Sequence, residues 1–92
     1  MTVGPDFVPR HSPTTTFVLL DGEAVLFDDE SGLLSALNPT ATLLWQLCDG
    51  TATVGEIVAD LAAGYDTDPS AIEPDVHRVV EDLLEASALE AA

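Results

Sequence analysis

Between Leu37 and Tyr65 the apolar positions recur with a helical period, while before that stretch they come in short β-rich blocks. Ala41, Leu44, Trp45 and Cys48 fall at i, i+3, i+4 and i+7, so they share one helix face. Leu43 and Leu47 widen the face, which predicts a helix buried on most sides. Asn38 is placed to cap it and Pro39 stands at the first helical position, where a missing N–H costs nothing. Gly50 supplies the stop. Thr53 and Glu56 then make a capping box for a second helix, whose face is Val54, Ile57, Val58, Leu61, Ala62 and Tyr65. Two helices across a short turn form a helix-turn-helix-like pair.

Upstream, Thr15 to Leu20 reads as a strand, Asp21-Gly22 as a tight hairpin turn, and Glu23 to Phe27 as the return strand. An acidic turn from Asp28 to Gly32 leads to a third strand, Leu33 to Leu37. The expected fold is α+β: a three-stranded antiparallel meander followed by three helices that cover one of its faces. Pro5, Pro9 and Pro13 interrupt the beginning of the chain, so residues 1–14 are expected as a flexible or loosely docked arm and residues 15–92 as a single domain. In the last helix the apolar arc is Val76, Val79, Val80, Leu83 and Leu84. Pro74 biases Glu73 away from the helical region, which favours a start at Pro74 over the capping signal at Ser70. Ala86 to Ala92 lacks a glycine stop and is expected to fray.

Charge narrows the function. The 92 residues hold 17 acidic side chains against 2 basic ones, net −15. Such a surface repels nucleic acid and anionic membranes and attracts basic peptides or basic protein faces. A recognition helix needs cations for phosphate, and beyond Pro39 the chain offers only Arg78, so the helix pair is not read as a DNA reader. No apolar run reaches the length of a membrane span, and no signal peptide is expected. One cysteine fits a reducing, cytoplasmic setting.

Candidate chemistry is thin. Cys48 lies on an apolar face with nothing to lower its pKa and reads as a buried structural thiol. His11 and His77 read as solvated histidines without metal-ligand spacing. Asp28, Asp29 and Glu30 lack the alternating oxygen ligands of a calcium loop. Neither an enzyme nor a cofactor is expected.

The order of these features resembles the PqqD family. The residues that carry the likeness are Gly32, Leu37-Asn38, Trp45, the stop Leu47-Cys48-Asp49-Gly50, Thr53-Val54 with Glu56-Ile57, Tyr65, Asp75-Val76 and Leu83. The last helix departs from the family pattern, continuing into Ala86-Ser87-Ala88-Leu89 where members often have a glycine and further apolar residues. The resemblance implies a small winged-helix-like domain that binds the leader of a ribosomally synthesised precursor peptide. It would present that leader to a modifying enzyme or leader peptidase. The leader would join as an added strand along the third strand, in the groove beside the third helix; backbone bonds give such binding its affinity and pockets its specificity. The expected peptide site is then Leu33, Leu34, Ser35, Ala36 and Leu37 on the strand, with Asp75, Val76, Val79, Asp82 and Leu83 on the helix. The opposite border of the helix, Val80 and Leu84 beside His77 and Glu81, is the alternative, and the acidic flank of Asp75 and Asp82 favours the first for a basic leader. From another class, the alternative function is an acidic scaffolding module that touches no peptide.

Overall fold

The structure, a computed structural model, describes residues 3–32 and 34–92. Pro9–His11 forms β1, Thr15–Leu20 β2, Glu23–Asp28 β3 and Leu34–Ala36 β4. The helices are Pro39–Leu47 (α1), Val54–Gly64 (α2) and Pro69–Glu85 (α3), and Leu89–Ala91 closes the chain as β5. β2, β3 and β4 make an antiparallel meander in that spatial order, and β1 pairs with β5 in a separate two-stranded ribbon. This is a small α+β, winged-helix-like domain.

The local signals explain the element ends. Asp21 and Gly22 both take positive φ, 53° and 80°, as a two-residue hairpin turn requires. The Asn38 side chain accepts from the Ala41 N–H at 2.8 Å, and Thr53 and Glu56 complete their reciprocal capping box. Trp45, Leu44 and Cys48 join Ile57, Val58, Leu61, Val76, Val80 and Leu83 in one core beneath Ala24 and Leu26 of β3. Thr42 is the buried polar residue at this junction. Its hydroxyl accepts from the Ala24 N–H at 2.9 Å and reaches the Leu37 carbonyl at 3.5 Å, filling the place of a ladder bond where β3 and α1 meet.

Four expectations are corrected. The segment expected as a flexible or loosely docked arm is packed on the domain over its described residues. The first N–H groups of a helix have no partner inside it, and those of Val54 and Gly55 donate to the carbonyls of Phe7 and Pro5 at 2.8 and 2.9 Å. Val3 and Pro9 are buried. The tail expected to fray is β5 instead. Ser87 takes the left-handed conformation at φ 61°, the N–H of Ala88 reaches the carbonyl of Leu83, and Leu89 turns into the core. α3 begins five residues before Pro74, capped by Asp68, whose carboxylate accepts from the Ser70 N–H. Pro74 stands inside the helix at its sixth residue, where it removes the one i→i−4 bond to the Ser70 carbonyl, and the helix runs through it. Finally, α1 is less buried than its apolar count predicts, since Leu43 faces solvent.

Candidate functional site

β4 is an edge strand, and its backbone polarity follows from one bond. The Leu37 N–H donates to the Ala24 carbonyl at 2.8 Å, and the register pairs Val25 with Ala36 and Leu26 with Ser35. Opposed residues of an antiparallel ladder alternate between exchanging bonds and turning away from each other. Ser35 and Leu37 therefore turn their N–H and C=O groups toward β3, whereas Leu34 and Ala36 turn theirs to the open edge. The three residues of β4 are exposed, and none is a proline or a charge that would blunt pairing.

α3 comes near β4 toward its C-terminal end, where Leu83 shares a hollow with Ser35. It packs closely on α2 and β5 and otherwise stands off from β4. Two concavities run along α3. A groove of about 370 Å³ is lined by Asn38, Ala41 and Leu44 of the α1 region, Leu61 and Tyr65 of the α2 end, and Ile72, Asp75, Val76, Arg78 and Val79 of α3. A smaller hollow of about 80 Å³ holds Ser35 opposite Leu83 and Ala86, with Leu26 at its floor.

The expected site residues divide on this frame. Asp75, Val76 and Val79 come together in the larger groove, and Ser35 and Leu83 in the smaller hollow. Leu34 and Ala36 offer backbone at the edge, and Leu37 is half-buried just past the strand. Asp82 is exposed and lines neither concavity. Leu33 lies outside the described residues. Arg78, outside the expected site, lines the groove with its guanidinium 3.6 Å from the Asp75 carboxylate. Both side chains are well exposed, so the pair contributes little energy, but it halves the acidic flank expected there. Tyr65, expected in the core, is exposed and lines the groove. The missed contributors, Asn38, Ala41 and Ile72, carry no sequence signal beyond capping and helix period, because their convergence depends on three helices meeting.

Where β1, β2 and α1 meet lies an aromatic cluster. The His11 ring stacks on Trp45 with centroids 3.7 Å apart and planes 5° from parallel, and Phe17 meets both edge-on. His11 Nε2 donates to the Trp45 carbonyl at 2.6 Å. His11 is thus half-buried and bonded, not the solvated histidine expected. The Cys48 thiol is fully buried and bonded to the Leu44 carbonyl. Burial first, and the neighbouring Asp49 charge second, push its pKa from an ordinary 9.0 up to about 12. Among the described residues no group of three or more His, Cys, Asp or Glu side chains is placed to hold a metal ion.

An open edge strand and a helix-lined groove on one winged-helix-like frame define a class of domain suited to receiving an extended peptide. The chain belongs to the PqqD family: the family described as Coenzyme PQQ synthesis protein D (PqqD) matches residues 23–89. Three solved structures are similar. TbiB1 in complex with the TbiA(beta) leader peptide has 25% identity and a TM-score of 0.81, over 88% of this chain and 94% of that one. A lasso peptide synthetase B1 complexed with its leader peptide has 25% identity and a TM-score of 0.80, over 90% and 98%. The PqqD truncation of Methylobacterium extorquens PqqCD, described as a stand-alone recognition element for ribosomally synthesised and post-translationally modified peptides, has 28% identity and a TM-score of 0.78, over 98% and 95%. No curated protein matches the chain.

Proposed function

We propose that this protein is a non-catalytic adaptor that binds the leader of a ribosomally synthesised precursor peptide by strand addition. It presents that leader to a modifying enzyme or leader peptidase. The observation that carries the reading is the open edge of β4, whose Ser35 shares a hollow with Leu83 of α3. An extended peptide there pairs with the N–H and C=O groups of Leu34 and Ala36 and lays alternate side chains over Val76, Val79 and Leu83. Asp75 acts at the lip of the groove and Asp82 acts through charge alone. Leader peptides bound to two similar proteins support the reading. A protonated, inaccessible thiol as the one cysteine supports a binding role over a nucleophilic one. A cytoplasmic setting belongs to the same proposal and fits a chain whose single cysteine can form no internal disulfide; no described helix is long and apolar enough to cross a membrane.

The test is a calorimetric titration of the protein with the leader peptide encoded beside its gene. Saturable one-to-one binding is expected, with the leader's amides protected from exchange over the paired stretch. No binding at any attainable concentration overturns the proposal in favour of a scaffolding module.

A further inference from the structure

The face of the meander turned away from the helices has no cover among the described residues. Strand alternation puts Val18 and Leu20 of β2, Val25 and Phe27 of β3 and Leu34 of β4 on it. Val18, Leu20 and Leu34 are 57%, 59% and 68% exposed. Scattered exposed apolar residues are ordinary, but a contiguous apolar face marks an interaction surface. Its borders carry one sign of charge. Asp21 and Glu23 stand at the hairpin end, and Asp29 and Glu30 at the other. Of the two arginines, Arg10 is paired with Glu90 in the β1–β5 ribbon and Arg78 lines the groove on the far side.

Resting on the adaptor reading above, we infer that this face docks the enzyme to which the leader is presented, through an apolar patch on that enzyme ringed by lysine or arginine. A second copy of this chain is the poorer occupant. It brings the same acidic border and a net charge of −15 to the contact. The area points the same way. Three strands at their usual spacing make a face of roughly 250 Å², well under the ~800 Å² per partner of a stable interface. A face of that size holds a partner only with help from its charged surround, and opposite charge supplies it. The position also suits the task. The face centres on β2 and β3 while the leader edge is β4, so an enzyme seated over Val18 and Leu20 leaves the backbone of Leu34 and Ala36 open to the leader.

The test uses the purified enzyme and the leader encoded beside this chain's gene, each titrated separately. Val18→Ser/Leu20→Ser is the informative variant, because both residues lie on the strand farthest from β4. The expected result is a loss of enzyme affinity of about tenfold or more, as two truncated apolar side chains at an interface warrant, with leader affinity unchanged. Glu23→Lys is expected to slow association with the enzyme and to leave leader binding alone. Enzyme affinity unchanged in the double variant overturns the inference while leader binding stands. So does a wild-type chain that fails to bind the enzyme. Self-association of the wild type in sedimentation, lost in the double variant, also overturns it and assigns the face to a second copy. Failure of the wild type to bind leader is instead the failure of the adaptor reading.

Discussion

Cys48 closes α1 with its sulfur donating to the Leu44 carbonyl at 3.2 Å and no exposure to solvent. Unfolding returns the thiol to its ordinary pKa of 9.0, below the folded value of about 12. The unfolded chain therefore loses this proton first, and the stability the thiol contributes is complete below about 9.0 and lost as pH rises toward about 12. Melting temperature is expected to decline over that window more steeply in the wild type than in Cys48→Ala. Equal slopes in the two proteins would remove the buried-thiol account. Cys48→Ser is expected to cost about 1 kcal/mol, since a hydroxyl replaces a thiol in an apolar site, while the folded fraction binds leader normally. His11 shows the opposite case at the same scale. Nothing in its sequence neighbourhood distinguishes it from a solvated histidine, and its stacking on Trp45 exists only because the fold brings β1 against α1.

At the scale of the element, β4 was legible as a strand but its polarity was not. Sequence alternation tells which side chains share a face; it does not tell which N–H groups look outward. The Leu37–Ala24 bond settles this by parity. Ala36→Pro removes a donor from the open edge, so it is expected to abolish leader binding with the domain still folded by circular dichroism. Ser35→Pro removes a bond from the β3–β4 ladder itself and is expected to lower the melting temperature. A folded Ala36→Pro protein that binds leader as tightly as the parent would defeat strand addition at this edge. α3 gives a second lesson. Pro74 reads as a boundary by local sterics, but helix start signals compete, and Asp68 with Pro69 defines an earlier one. Val79, and not the border of Val80 and Leu84, lines the large groove because Val80 is fully buried against the core.

For the whole molecule, the ends of the chain hold the domain together. β1 and β5 pair with Arg10 opposite Glu90, and the Arg10 Nε donates to that carboxylate at 2.7 Å. Leu89 is buried in the core next to Ala88. Leu89→Ala is expected to destabilise by about 2–3 kcal/mol, as for a buried leucine left as a cavity, measured by urea denaturation. A change of a few tenths would show that the ribbon is not part of the cooperative unit. The net charge of −15 acts over the same scale. Association with a basic leader is expected to slow as salt rises while dissociation changes little. A salt-independent on-rate would mean that the acidity serves solubility alone. Duplex DNA is expected to give no mobility shift at physiological salt, because the chain has almost no cations to release counterions.

The sequence by itself determined what is local or summed. Hairpin turn, helix caps, core faces and net charge each depend on residues a few positions apart or on composition, and Asp21-Gly22, Asn38 and Thr53-Glu56 do in the structure what their chemistry dictates. Tertiary structure decided what depends on distant partners. The proline-broken beginning and the glycine-free tail each lack the means to order alone; they order because each supplies the other's hydrogen bonds, and because the start of α2 has free N–H groups to offer. The groove is likewise a property of assembly. Asn38, Tyr65, Ile72 and Arg78 come from three segments that no periodicity links, and they meet only where three helices converge.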